Sequence, residues 1–395
     1  MTLSDDDDKK WTYHKHTRAK HDVLKYYSDV WTRIVSDDNR NLRLFDCFAG
    51  RGDYVRSDGV EPIDLDEIES AAEYPGSPQI LLDQATKHSH LFNQLNCYFF
   101  EPKQVNREQL RDNIDDLTGV ANNVSSHIVG DEFAEGISDV LRRSGGPNGF
   151  AFFFLDPFGL KQIPFNKVSE ITSISQFDCL INLMTNELVR WQDSDKHNDT
   201  IESLYGTSVW RRELQSLTPK DLSTAEAEYY CNRLENHNTD YTLAYMTTEG
   251  DNSRLKYHLV FTTNSDKGLT AMRDSMMRCG TNYTLAYAPE DPDFTPQEQA
   301  TLVGGNMLTE EDRVKSYLLT RFAGQEISFD ELVTQCYIDR RYEDSLRQHY
   351  RQYLKEMDNG SVVNIPNREA ENDPLPEDYL IQFPNVEEEE SANSA

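Results

Sequence analysis

Basic residues are scarce in this chain. Its 395 residues carry 69 Asp and Glu against 39 Lys and Arg, a formal net charge of −30 at pH 7. In ordinary salt such a surface repels a phosphate backbone, which argues against broad, sequence-independent binding to nucleic acid. Hydrated carboxylates instead keep a protein soluble in concentrated salt, where the Debye length falls to about 3 Å at 1 M, and the composition predicts a halophilic protein. The six cysteines, Cys47, Cys97, Cys179, Cys231, Cys279 and Cys336, include no Cys-x-x-Cys pair. That spacing argues against a zinc site or a disulfide framework and for buried, reduced thiols; no metal is expected. There is no apolar run of about 18 residues and no charged, apolar, small-residue leader, so a soluble, cytoplasmic protein with no membrane partner is predicted.

What the chain does have is a series of apolar strands that end in acids. Leu44-Phe45-Asp46-Cys47-Phe48-Ala49-Gly50-Arg51-Gly52-Asp53 runs from a strand into a tight loop with two glycines. Such loops line the crevice at the carboxyl ends of a parallel sheet, because glycine lets the backbone bend and approach a ligand closely. Cys97-Tyr98-Phe99-Phe100-Glu101-Pro102, Ser126-His127-Ile128-Val129-Gly130-Asp131 and Ala151-Phe152-Phe153-Phe154-Leu155-Asp156-Pro157-Phe158-Gly159 repeat the pattern. Continuous apolar runs of this length fit strands buried on both faces, with the terminal acids at one rim. Phe177 to Met184 reads as a fifth large strand, with Asn182, Asn186 and Glu187 following it into a loop. Tyr241 to Met246 and Lys256 to Thr262 flank Gly250-Asp251-Asn252 and read as a closing hairpin.

Taken in order, these segments resemble the class I S-adenosylmethionine-dependent methyltransferases. The resemblance implies that Asp46, Phe48, Ala49, Gly50 and Gly52 hold the methionine part of S-adenosylmethionine, that Glu101 pairs with the ribose hydroxyls, and that Asp131 meets the adenine. Asp156-Pro157-Phe158-Gly159 is similar to the Asp-Pro-Pro-aromatic motif of amino-methylating enzymes, lacking its second proline, which implies catalytic roles for Asp156, Pro157 and Phe158. Glu101 stands much further past Gly50 than the roughly 20 residues of a dinucleotide unit. An acidic loop, residues 56 to 76, accounts for the excess, and Gly76-Ser77-Pro78 then opens a helix with Ser77 as N-cap and Pro78 at the first helical position. A closer resemblance, carried by His21 to Trp31, Asp46 to Gly50, Gly76-Ser77-Pro78 and Leu155 to Gly159, is to the three-Cys-motif partner protein family. It implies a three-Cys-motif protein as partner and names no reaction.

The remaining segments give the domain plan: a flexible arm 1–18, a methyltransferase-like domain 19–288, a linker 289–306, a winged-helix domain 307–384 and an acidic tail 385–395. Residues 19 to 35 should form an amphipathic helix burying Val23, Tyr27, Val30, Trp31 and Ile34. Its neighbourhood, with Lys9, Lys10, Lys15, Arg18, Lys20 and Lys25, is the only markedly basic stretch, either a solvated arm or the place where phosphate is met, with Lys15, Arg18 and Lys20 as contacts. Residues 210 to 237 look mainly helical. In the tail, Thr309-Glu310-Glu311-Asp312 caps a helix that stops at Gly324. Ile327 to Asp330 begins a second helix, 343 to 357 make a third, and Val362 to Ile365 should pair with Tyr379 to Phe383 as a wing. Arg347 and Arg351 on the third helix, with Arg340 and Arg341 before it, suit a groove contact, and a protein-contact module is the alternative.

The expected fold is therefore α/β, a doubly wound, mostly parallel sheet with a C-terminal winged helix. The expected function is methyl transfer from S-adenosylmethionine to an amino group of nucleic acid. The alternative is a non-catalytic methyltransferase fold acting as a binding partner in a two-protein system. Oligomeric state has no signature in the sequence.

Overall fold

The computed structural model describes residues 11–36, 40–57, 59–191, 193–214, 222–249, 254–279, 283–287, 309–338, 347–368, 370 and 373–385. Asp5 to Asp8, Lys9 and Lys10 of the arm, the turn Gly250-Asp251-Asn252, the linker 289–306, Arg340 and Arg341, and the tail from 386 lie outside the described residues. The chain divides into two compact units, Met1–Ala288 and Pro289–Ala395.

The first unit is built on one eight-stranded sheet. Its strands are β1 (Asn41–Asp46), β2 (Gln94–Phe100), β3 (Val124–Val129), β4 (Ala151–Leu155), β5 (Phe177–Leu183), β6 (Tyr241–Glu249), β7 (Arg254–Thr263) and β8 (Tyr283–Tyr287). They lie in the order β3-β2-β1-β4-β5-β7-β6-β8. The first five are mutually parallel, and β7, β6 and β8 continue the sheet antiparallel to one another. This is the strand order of the class I methyltransferase fold, with β8 added at its edge. The predicted hairpin is present as β6 and β7, whereas β8 was not expected.

The central strands are covered on both faces, as their apolar runs require, while the edge strand β3 leaves Ser126 and His127 exposed. On one side α1 (Lys15–Val35), α2 (Ser77–Lys87) and α10 (Asp266–Arg278) pack, with the Tyr27 ring edge-on to Phe152 and Phe261. On the other, Phe45 stacks between Tyr98 and Phe153, 4.8 and 4.4 Å away. That face is closed by α4 (Phe133–Arg143), α5 (Phe165–Thr172), α6 (Thr185–Trp191), α7 (Asn198–Tyr205) and α9 (Leu222–Glu235). Three residues are thus placed differently from expectation: Asn182 lies inside β5, and Asn186 and Glu187 are in α6 rather than a loop. α1 begins four residues early. Val23, Tyr27 and Trp31 are buried as predicted, but Ile34 is exposed and Val30 half-buried. His21, Leu24, Ser28 and Thr32 take those places, because the apolar stripe turns toward β4 and β7.

The second unit has its own core of Val314, Leu318, Phe329, Leu332, Tyr350 and Ile381 among others. α11 (Glu310–Arg321) opens with a reciprocal Thr309–Asp312 capping box, and Gly324 follows it in a left-handed conformation at φ 69°. α12 (Phe329–Ile338) and α13 (Arg347–Asn359) follow. The strand pairing differs from expectation. Glu326–Ser328 (β9) pairs with Leu380–Gln382 (β10), and the segment at Val362 to Ile365 adds only an isolated bridge, Asn364 to Gln382.

Candidate active site

The strand order reverses at β1, with β2 and β3 on one side and β4 and β5 on the other; in open α/β sheets of this kind, ligands bind in a crevice outside the carboxyl ends at such a switch point. The loop after β1 is pinned to both neighbours. The Cys47 amide donates to Phe154 O at 2.9 Å and the Ala49 amide to Phe100 O at 3.0 Å. Gly50 and Gly52 then adopt φ of 61° and 81°, which side chains rarely reach. The loop has a second half that arrives from far along the chain. The Gly76 amide donates to Gly52 O at 2.9 Å, and a Cβ at Gly76 would stand 2.8 Å from that oxygen. Gly76, not Ser77, is the N-cap residue of α2. The Ser77 side chain makes no cap bond, and its nearness to Asp46 works against the rise of that carboxyl.

Asp46 is fully buried at the end of β1, its Oδ1 accepting from the Phe48 amide at 3.2 Å. Burial lifts its carboxyl to about 7, against the Ser77 hydroxyl and the Phe48 amide, and the negative charges of Asp156 and Glu101 push the same way as burial. Its Oδ2 has no hydrogen-bond partner, nor has either amide atom of the buried Gln79, which lies beside Gly52. Buried polar atoms without partners are uncommon in folded proteins, and these lie on and beside the glycine loop. At the end of β2, Glu101 is 3% exposed. It accepts from the Lys103 amide at 2.8 Å, and burial raises its carboxyl against that bond and the Asn106 side chain. Asp131 lies exposed at the rim after β3, against Gly136. Phe48 is half-buried and meets Phe133 at 5.8 Å between ring centres.

On the other side of the crevice, Asp156 ends β4 and Pro157 is buried, while Phe158 points outward, 56% exposed. The Phe158 amide donates to Gln162 Oε1 at 2.7 Å, which fixes the turn. Asp156 is held from two directions. Lys20 Nζ approaches Oδ1 at 2.6 Å and Oδ2 at 2.5 Å, and Asn182 Nδ2 donates to Oδ1 at 2.7 Å. The arm closes over this side. Trp11 lies 4.7 Å from the Phe158 ring, and its indole would collide with a Cβ placed on Gly50.

Of the residues singled out in the sequence, Asp46, Glu101 and Asp156 lie near enough for their charges to interact, the glycines Gly50 and Gly52 shape the loop after β1, and Asp131 and Phe158 are exposed. Sequence reading missed Ser77, Gln79, Trp11 and the role of Asn182. It also took the cations of α1 for surface groups. Lys20 is 7% exposed and bound to Asp156. Arg18 is bonded to Asp22 and to the carbonyls of Glu61 and Pro62, and Lys25 to Asp66 and the carbonyl of Asp64. Lys15 stands exposed. In the second unit, Arg347 bonds Asp330 and Glu377, and Arg351 donates to Leu375 O across the face of Phe329. Arg18, Lys20, Arg347 and Arg351 are thus engaged within the fold, and among the described residues Lys15 is not.

Among the described residues, no group of His, Cys, Asp and Glu is arranged to hold a metal ion, and no helix is long and apolar enough to cross a membrane. No protein-family model matches the chain, and no curated protein matches it. Among solved structures, a Legionella pneumophila protein of the DUF519 family aligns with 64% of this chain and 86% of its own, at 13% identity and a TM-score of 0.37. The precorrin-6y C5,15-methyltransferase of Geobacter metallireducens aligns with 61% of this chain and 87% of its own, at 12% identity and a TM-score of 0.29.

Proposed function

We propose that the chain is an S-adenosylmethionine-dependent methyltransferase acting on an amino group of nucleic acid. The observation that carries this reading is the convergence of Asp46, Glu101 and Asp156 on the switch point of a methyltransferase-ordered sheet, beside a glycine loop whose buried polar atoms lack partners. Asp46 Oδ2 and the Gln79 amide suit the charged amino-acid end of the cofactor, and the Glu101 carboxylate suits vicinal hydroxyls. When bound, the sulfonium supplies an electrophilic methyl group and leaves as a thioether, while the acceptor nitrogen gives up one proton to solvent. The chain's own work is alignment: Asp156 accepts an N–H of the acceptor, Phe158 offers a face to its ring, and Pro157 keeps both in one turn. Positioning of this kind supplies much of the rate.

A second reading, a non-catalytic partner of a three-Cys-motif protein, draws on the Trp11 ring over Gly50 and the Lys20 ammonium on Asp156, which together cover the crevice. Calorimetric titration with S-adenosylmethionine in molar salt, followed by labelled-methyl transfer to total nucleic acid of the same cells, separates the two. Asp156→Ala should keep cofactor affinity and lose about 10²- to 10³-fold in turnover, the usual cost of one positioned polar contact in a dry site. Bound cofactor without transfer to nucleic acid or protein overturns the enzyme and leaves the partner.

A further inference from the structure

We infer that Lys20 is a positioning residue of the acceptor site and that, with Asn182, it leaves Asp156 one acceptor position for the substrate. The inference rests on the methyltransferase reading. An ionised carboxylate offers about four lone-pair positions, two on each oxygen. Lys20 Nζ and Asn182 Nδ2 both bond Oδ1, at 2.6 and 2.7 Å, and Lys20 also bonds Oδ2 at 2.5 Å. Both positions on Oδ1 are therefore filled, and a single one remains on Oδ2. A primary amine entering the crevice gives Asp156 one N–H and cannot straddle the carboxylate with two. Its nitrogen is then tied at one point, on the oxygen away from Asn182, and the direction of its lone pair is set by that bond and by whatever its ring rests on.

The placement of Lys20 is itself enforced. It comes from α1, outside the sheet, and its ammonium also lies 5.4 Å from the centre of the Tyr257 ring. The Tyr257 hydroxyl donates to His16 O at 2.9 Å, tying the start of α1 to β7. Next to it His21 is fully buried and kept neutral, its imidazole lowered to about 3 by burial and by the Lys20 charge. A buried ion pair gives little net stability, since an apolar pair of equal volume often does as well. What it gives here is a carboxylate with a fixed orientation, which is what an in-line reaction requires.

The test uses the full chain in molar salt, with mixed-sequence single-stranded RNA and DNA as acceptors. Lys20→Met keeps the apolar stem and should fold. It is expected to lower kcat about 10²-fold at matched folded concentration, with KM for the oligonucleotide and calorimetric affinity for S-adenosylmethionine each within about twofold. Lys20→Ala with added n-propylamine, which restores the missing ammonium, should regain part of the lost rate without a change in folded fraction. Unchanged turnover by Lys20→Met overturns the inference while leaving the methyltransferase reading in place. Loss of oligonucleotide binding by fluorescence anisotropy, with kcat intact, also overturns it, since Lys20 would then be a phosphate contact. Absence of transfer by the wild type overturns both.

Discussion

The Gly76 amide closes on the carbonyl of Gly52 at 2.9 Å, so the two halves of the ligand loop meet across a long acidic excursion. A Cβ at 76 would press on backbone, not on a yielding side chain. Gly76→Ala should therefore shift the loop, costing about 1–3 kcal/mol of stability as overpacking does and weakening cofactor affinity about tenfold or more. Thermal melting and calorimetric titration measure the two effects. An unchanged affinity would detach the Gly52 carbonyl from cofactor binding.

Glu101→Ala should weaken cofactor binding by about 1.5–3 kcal/mol, the range for hydrogen bonds to a charged group, while the sheet survives. Equal binding by folded wild type and variant would remove Glu101 from the ribose hydroxyls.

Asp46 gives the chain a pH dependence of definite sign. Its carboxyl is raised by burial to about 7, above the value near 3.9 of an unfolded chain. The folded state thus binds the extra proton between those limits, and stability from this group is fullest at the acid end and declines as pH rises through about 7. Melting curves of wild type and Asp46→Asn from pH 5 to 8 should diverge, with only the wild type losing this contribution toward pH 8. Cofactor binding near pH 6.5 should release protons from the wild type, visible as a buffer-dependent heat, and fewer from Asp46→Asn. Parallel curves for the two proteins would show that Asp46 is ionised throughout.

The charge of −30 predicts that tertiary structure is lost as salt falls well below molar, when carboxylate repulsion is no longer screened. A near-ultraviolet circular dichroism series in decreasing salt follows it. A constant spectrum down to dilute buffer would leave the acidity without this explanation.

The sheet was legible in the sequence because strands buried on both faces write themselves as apolar runs, and an acid marks the rim where each ends. β8 was missed, although a repeat in the sequence marks it. Tyr-Thr-Leu-Ala-Tyr occurs at 241–245 and again at 283–287, and the two copies are neighbouring antiparallel strands. Lys20 and Asp156 were a different matter. They stand 136 positions apart, and nothing local distinguishes a cation that will be buried from those that stay on the surface. Only the docking of α1 against β4 and β7 makes the choice. Ser77 was misread for a related reason: its hydroxyl fits an N-cap by local rules, but Gly76 takes that position and Ser77 stands near the Asp46 carboxyl instead.

The excursion between Tyr54 and Tyr74 is clamped at its root by the Asp53–Tyr54 and Tyr74–Pro75 pair. It is clamped again where Asp83 Oδ1 gathers the amides of Asp66, Glu67 and Ile68 at 2.8 to 3.2 Å. Between these clamps it is bound to α1 as well, where Arg18 reaches the carbonyls of Glu61 and Pro62 and Lys25 reaches Asp64 O and Asp66. The long insertion is thus held at several points along its length, and the return of Gly76 to Gly52 makes one local unit of two stretches that the sequence keeps apart.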